Sequence, residues 1–308
     1  MALSEAYIAQ VRLLLRLLPI VAQEDCFALK GGTAINLFER DLPRLSVDID
    51  LMYLPLHDRT AALAGIDAAM KRISGAITEN VRGARIVPHS QEGAILRLLV
   101  YSDGTQVKIE VSPVLRGVVG PTRLMPVSAA VEEAFGFAET TLVSFEDLYA
   151  GKLMAALDRQ HPRDLFDVRD LLAKEGLTDP LREAFIVYLL SHHRPMGEVL
   201  TARPKDIERE FRNGFEGMTQ EPIKLADLEA TRETMIEQLV GGMPDRHRSF
   251  LIGFEEGAPD WAELHIDGVS ALPAVQWRQR NLDLLDASRR ATLVESLRAS
   301  LGQRTTDQ

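Results

Sequence analysis

Two aspartates one residue apart, Asp48 and Asp50, follow at short range a diglycine, Gly31-Gly32, that is flanked by Lys30 and Thr33. A diglycine turn ahead of a short helix offers bare backbone N–H groups to a phosphate. The acids lie in Val47-Asp48-Ile49-Asp50-Leu51-Met52-Tyr53, which alternates apolar and polar residues. In a strand, residues i and i+2 share a face, so Asp48 and Asp50 project together while Val47, Ile49 and Leu51 turn toward the core. Two carboxylates beside a phosphate cradle suit Mg²⁺ (or Mn²⁺) and a nucleoside triphosphate, because Mg²⁺ takes a few carboxylates and completes its shell with phosphate oxygens and water. Adjacent acids on a strand also arise as its solvent face. Gly31, Gly32 and Ser46 at this spacing are what argue for a site.

Other candidates come from strand and helix faces. Gln106-Val-Lys108-Ile-Glu110-Val-Ser112 alternates strictly, so Lys108 and Glu110 share the face opposite Val107, Ile109 and Val111. If this strand pairs beside the D-x-D strand, Glu110 supplies a third carboxylate and Lys108 a positive partner; the same pattern also describes a solvated Lys–Glu face. Lys152 falls inside the apolar stripe of Phe145, Leu148, Tyr149 and Ala156 on a helix. A lysine so aimed must snorkel out, pair with a carboxylate or reach a cleft. Asp164 and Asp167 lie one turn apart near the next helix start. Asp164 suits the helix dipole there, Asp167 has no such role and is favoured as the functional acid, and Asp170 reads as solvated. Cys26 reads as a buried strand residue, and Trp261 and Trp277 as core anchors.

These residues need elements to position them. Residues 4–20 carry Leu and Ile at helical spacing, Cys26 to Leu29 reads as a strand ending at the diglycine, and Thr33 to Phe38 begins a helix. A helix over Arg59 to Ile73 is followed by strands at Ala84–Pro88, Ala94–Tyr101 and Gln106–Val111, the last two joined by a hairpin turn at Ser102-Asp103-Gly104-Thr105. This order predicts a small α/β sheet domain over residues 1–140. From residue 141 to 308 the pattern is helical. Ser144-Phe-Glu-Asp147 has the form of a capping box, Pro162 marks a second start, and helices are expected at 180–191, 204–216, 225–240 and 281–300. Breaks fall at Gly241-Gly242-Met243-Pro244 and Gly257-Ala-Pro259, and Gln303–Gln308 reads as a frayed end.

Composition excludes several classes. The chain has 308 residues and one cysteine, so an intrachain disulfide and a Cys-rich zinc site are ruled out, and a formal net charge of −10 argues against a nonspecific nucleic-acid coat. An enzyme holding RNA through a local basic surface remains open. Arg159, His161 and Arg163 offer one such surface; His192, His193, Arg194, Arg203 and Lys205 offer another, which also reads as solvated faces and loops. No apolar run approaches the roughly 20 residues of a membrane span. Met1 to Gln10 lacks the features of a signal peptide, and the chain reads as cytoplasmic, with no membrane partner. The motifs of zinc hydrolases, α/β-hydrolases and P-loop enzymes are missing.

Taken together, Lys30-Gly-Gly-Thr33, Leu45-Ser-Val-Asp-Ile-Asp-Leu51, Lys108-Ile-Glu110 and Lys152…Arg159…Arg163-Asp-Leu-Phe-Asp167 resemble the AbiEii/AbiGii family of nucleotidyltransferase-like toxins from type IV toxin–antitoxin and abortive-infection systems, to which MenT toxins are related. Leu272 to Leu282 is similar to the family's C-terminal segment, so the likeness spans most of the chain. The resemblance implies an α+β protein: a polymerase β-like nucleotidyltransferase domain with a mixed sheet, then a mainly α-helical domain that completes the active-site cleft. It implies that Gly31, Gly32 and Ser46 bind nucleotide phosphates, that Asp48 and Asp50 hold metal, that Lys152 contacts the triphosphate and that Asp167 is the later acid. Lys30, Thr33 and Lys108 join the nucleotide-binding set, and Glu110 is a looser match to a third acid. Gly32 replaces the usual serine, so that one hydroxyl contact to phosphate is either missing or taken over by Thr33. The implied activity is transfer of NMP from an NTP to an RNA acceptor, the tRNA 3′ end, restrained by a cognate antitoxin encoded nearby. The rival readings are a nucleotide (GTP)-binding protein without transfer, and a transferase acting on a protein or small molecule.

Overall fold

The computed structural model describes residues 5–302, so the reading of Gln303–Gln308 lies outside the described residues. The chain divides into two compact units, one running to Ser144 and including Gly217–Pro222, the other formed by Phe145–Glu216 and the residues from Ile223 onward. The division thus falls at Ser144 rather than at residue 140. The return of Gly217–Pro222 to the first unit was not expected from sequence. It is held by backbone bonds with the loop before the D-x-D strand: Leu45 N–H donates to Met218 O at 2.8 Å and Gln220 N–H to Pro43 O at 3.0 Å. Such pairing between distant loops leaves no local periodicity to read.

In the first unit, α1 (Glu5–Val21) precedes β1 (Phe27–Lys30), and α2 (Gly31–Ala34) continues directly as a π-helical turn, Ile35–Glu39. β2 (Ile49–Tyr53), α3 (Arg59–Asn80), β3 (Arg85–Gln91), β4 (Ala94–Ser102), β5 (Thr105–Arg116), β6 (Arg123–Pro126), α4 (Ala129–Phe135) and β7 (Glu139–Leu142) follow. The seven strands form one mixed sheet in the order β3-β4-β5-β2-β1-β7-β6. β2 runs antiparallel to β1 and parallel to β5, so the acidic strand lies in the interior of the sheet. Ile49, Leu51, Val107, Ile109 and Val111 are buried, as their alternation predicts, and Met52 and Tyr53 are buried as well.

Several expectations need correction. Cys26 is half-buried and precedes β1 instead of lying within it. The helix after the diglycine starts at Gly31, and α3 runs on past Ile73 because Ile77 is also buried on its inner face. β3 continues beyond Pro88, which is tolerated because β3 is an edge strand. β6 and β7 are four-residue strands, too short to show alternation. The Asp103-Gly104 turn forms as read, with both residues at positive φ, and Glu92-Gly93 makes a second such turn between β3 and β4.

The second unit contains helices and no strand among the described residues: α5 (Phe145–Asp158), α6 (Pro162–Lys174), α7 (Asp179–Leu190), α8 (Met196–Leu200), α9 (Glu208–Gly214), α10 (Leu225–Ile236, with a π turn to Gly241), α11 (Asp245–Glu256), α12 (Pro273–Asp283) and α13 (Ala287–Gly302). α8, α11 and α12 were not read from sequence, although α11 occupies the interval between the two expected breaks. Its C-cap Gly257 adopts the left-handed conformation. Trp261 is half-buried and meets Phe250 edge-on at 5.4 Å. Trp277, in contrast, is 59% exposed on α12 and is no core anchor.

Gly104 has φ +75° and open space around a built Cβ, so only backbone strain opposes a side chain there. Gly104→Ala is expected to cost on the order of 1 kcal/mol, read as a lower urea midpoint with unchanged slope.

Candidate active site

Strand register builds the site. The β1–β2 pairing sets Lys30 opposite Asp50, the β2–β5 pairing sets Asp50 opposite Glu110, and the β4–β5 hairpin sets Glu110 opposite Arg97. Four neighbouring strands therefore carry a row of charges, Lys30, Asp50, Glu110 and Arg97, in which two carboxylates are flanked by two cations. Asp48 sits just ahead of β2, at its entry. Lys108 links the acids: its Nζ lies 2.7 Å from Glu110 Oε2 and 3.4 Å from Asp48 Oδ2. Arg97 donates to the other Glu110 oxygen, Nε at 3.0 Å.

The diglycine lies against this row. A Cβ on Gly31, which has φ +78°, would come 2.7 Å from Asp50 Oδ2; one on Gly32 would meet Ser46 Oγ at 2.7 Å and an Arg44 nitrogen at 2.8 Å. Gly31 requires glycine for its backbone conformation, and a side chain at Gly32 would displace the Ser46 hydroxyl and the Arg44 guanidinium. Thr33 is fully buried and its Oγ1 lies 3.3 Å from Ser46 Oγ. Its hydroxyl therefore buttresses Ser46. Tyr7 of α1 accepts a hydrogen bond from Ser46 N–H at 3.4 Å, and burial pushes its hydroxyl up to about 12. Tyr7 remains a neutral prop at physiological pH.

Electrostatics distinguish the acids. Burial raises the Asp50 carboxyl above its usual range; Lys108 and Lys30 oppose that rise, and Asp48 and Glu110 add to it. Burial would raise Glu110 too, but hydrogen bonds from Lys108 and Arg97 hold it below the usual range. Burial would lower Lys108, yet the Glu110 hydrogen bond and the three neighbouring carboxylates raise it. The row thus holds a half-buried and poorly neutralised carboxylate, Asp50, next to a well-paired one, Glu110.

The second unit has its own ion cluster. Lys152 of α5 is buried, with Nζ 2.8 Å from Asp164 Oδ1 and 3.0 Å from Asp167 Oδ2, both on α6. Of the three outcomes open to an inward lysine, pairing is the one seen within this unit. Asp164 is fully buried and also accepts from Arg159, so a first-turn position does not describe it fully. Its carboxyl lies far below the ordinary range: burial would raise it, but the Lys152 charge and the Arg159 hydrogen bond prevail. Asp170 is half-buried and pairs with Arg169. His161 caps α6 by accepting Arg163 N–H. In the second basic cluster Arg194 pairs with Asp158 at 2.7 Å, and Lys205 donates to the Asp158 carbonyl.

Residues 12–280 match the profile of a family described as the nucleotidyl transferase AbiEii toxin of type IV toxin–antitoxin systems. The chain belongs to this family. It is accordingly a nucleotidyltransferase by family. The chain is also similar in structure to MenT4, a nucleotidyltransferase toxin from Mycobacterium tuberculosis H37Rv, with a TM-score of 0.57 and 17% identity over 96% of this chain and 92% of that one. At that identity the likeness speaks for the shared α+β fold. No curated protein matches the sequence significantly.

In this AbiEii chain, the first unit brings together Lys30, Gly31, Gly32, Ser46, Asp48, Asp50, Lys108 and Glu110; Lys152 and Asp167 lie in the second unit. Arg97, Arg44 and Tyr7 were missed. Arg97 was accessible, because a two-residue turn at Asp103-Gly104 sets it opposite Glu110 by counting back along the hairpin. Arg44 and Tyr7 carry no spacing signal. Among the described residues, no three His, Cys, Asp or Glu side chains could hold an ion by themselves. The oxygen pair Asp48 and Asp50, with Asp50 half-buried and short of positive charge, nevertheless fits a hard cation that draws its remaining ligands from phosphate and water.

The Lys152 cluster yields two expectations. Lys152→Ala should lose about 3–5 kcal/mol by urea unfolding, because it leaves two buried carboxylates without their shared cation. Asp164 has a lower pKa folded than unfolded, so its stabilisation is complete above the unfolded value near about 4 and is lost as pH falls toward the folded value. Asp164→Asn should therefore flatten the acid limb of stability, measured as urea midpoints between neutral pH and about pH 3.

Proposed function

We propose that this protein transfers a nucleoside monophosphate from an NTP to the 3′ end of an RNA, a tRNA in the cell, and that Mg²⁺ (or Mn²⁺) at Asp48 and Asp50 is required. The observation that carries the reading is the abutment of the Gly31 turn on Asp50, with Asp50 and Glu110 in register across the sheet. It puts bare backbone, a metal-type acid pair and a third carboxylate next to one another.

In the reaction, the acceptor hydroxyl oxygen bonds to the α-phosphorus, the bond from that phosphorus to the pyrophosphate oxygen breaks, and the hydroxyl proton passes to a carboxylate or to water. Gly31, Gly32 and Ser46 orient the phosphates through backbone N–H groups and a hydroxyl. Lys30 and Lys108 answer their negative charge, and Glu110 accepts a hydrogen bond from the attacking hydroxyl. A bound divalent ion supplies Lewis-acid polarisation and charge neutralisation. Within the second unit, Asp164 and Asp167 hold the Lys152 ammonium in place. Blocking a tRNA end would stop aminoacylation in the cytoplasm, and a cognate antitoxin would restrain the enzyme.

One observation favours a second reading, nucleotide binding without transfer: both Glu110 oxygens already accept strong hydrogen bonds from cations. Purified protein incubated with labelled NTPs, Mg²⁺ and total tRNA separates the two. Labelled RNA is expected, with Asp48→Ala reducing it by about 10²-fold or more. Unlabelled RNA from the wild type, or full labelling by the variant, overturns the transfer reading. Label on protein or a small molecule would mark a different acceptor.

A further inference from the structure

Gly31 and Gly32 are glycines for different physical reasons. Gly31 has a positive φ, whereas Gly32 lies inside α2 in helical conformation, which other residues adopt freely. What excludes a side chain at Gly32 is the space beside it. An Arg44 nitrogen lies 2.8 Å from the position of its Cβ, and Ser46 Oγ lies 2.7 Å from the same point. Both side chains come from the loop ahead of β2, and they converge where a side chain of the turn would stand.

Arg44 is held in that place. It is 3% exposed, although an arginine ordinarily carries its head out to water, and its Nη1 donates to Leu45 O at 2.9 Å. Its backbone forms an antiparallel bridge with Thr219, and the Leu45–Met218 and Gln220–Pro43 bonds lie on either side. Residues 217–222 therefore fix the loop that carries Arg44 and Ser46. From within α2 and its π turn, Asn36 Nδ2 donates to Gly32 O at 2.8 Å, and Thr33 Oγ1 lies 3.3 Å from Ser46 Oγ. The turn is thus braced by its own helix on one side and by the Arg44 loop on another.

Resting on the nucleotide-binding role given to this turn above, we infer that Arg44 is a positioning residue of the nucleotide site. Its guanidinium fills the side-chain space beside Gly32 and so sets the separation between the diglycine and the Ser46 hydroxyl. The ligand served is the phosphate chain of an NTP, which meets backbone N–H groups and a hydroxyl at a spacing fixed in advance. Donors already held in place bind without the cost of ordering a loop. Arg44 acts through Gly32 and Ser46 and by its shape. Arg44→Lys keeps the charge but loses the planar fork.

The test is a double-mutant cycle on NTP affinity, measured by calorimetry with the full chain and Mg²⁺. Arg44→Ala and Gly32→Ala should each weaken binding by about tenfold, the first by freeing the turn, the second by pushing Arg44 and Ser46 aside. In the double variant the methyl group enters the space that Arg44 leaves, so its affinity should match that of the weaker single variant. Losses that multiply to about hundredfold overturn the pairing. An Arg44 that only supports the fold would lower the urea midpoint and leave the cycle additive. Arg44→Lys should also lose about tenfold, and full affinity in that variant overturns a role by shape. The same cycle run on Arg44→Lys decides the pairing if Arg44→Ala does not fold. A wild type that binds NTP but labels no RNA overturns the transfer reading and leaves the Arg44 role standing. A wild type that binds no NTP overturns both.

Discussion

Asp50 is a carboxylate placed in the interior of a seven-stranded sheet, and the organisation of the first unit answers to that placement. An acid there loses hydration that it must recover from neighbours. β1 brings Lys30 and β5 brings Glu110 into register beside it, and Lys108 reaches across the acids from one residue pair earlier. The compensation is incomplete, since burial still raises the Asp50 carboxyl. A site that is under-neutralised at rest is suited to receive a further cation. Gly31 has to be glycine for the same reason: any Cβ would press on the Asp50 carboxylate.

The second unit handles buried charge in the opposite way. Lys152 sits between Asp164 and Asp167, and Arg159 completes Asp164, so each acid has at least one cation at hydrogen-bonding distance. Such a cluster holds α5 against α6, and removing one member is more costly than never having had it. Lys152 thus has a structural role within its own unit. Any loss of activity in a Lys152 variant has to be read against loss of fold, and the stability measurement must come before the kinetic one.

How much of this was legible depends on the range of the interaction. The alternation at Ile49-Asp50-Leu51 and in residues 107–111 identified the inward apolar faces and left Asp50, Lys108 and Glu110 on the other side, whereas Val47 and Asp48 lie ahead of β2 and Val47 is only half-buried. The Asp103-Gly104 turn made the β4–β5 register countable, and so made Arg97 discoverable. Trp277 was misread because hydrophobicity alone does not say which side of α12 is covered. Tyr7, Arg44 and the Gly217–Pro222 segment reach the site from parts of the chain with no periodic relation to it.

By itself the sequence determined the chemistry available: a diglycine before a helix, two acids on alternate strand positions, an inward lysine and the family to which these belong. Those features follow from covalent neighbours and from the two-residue period of a strand, and they need no knowledge of folding partners. Only the tertiary structure decided that β2 lies between β1 and β5, that Glu110 enters the row already paired, and that Arg44 comes to lie beside Gly32. α1 and α3 pack on the sheet through many weak contacts between residues far apart in sequence, and no single motif encodes such a sum.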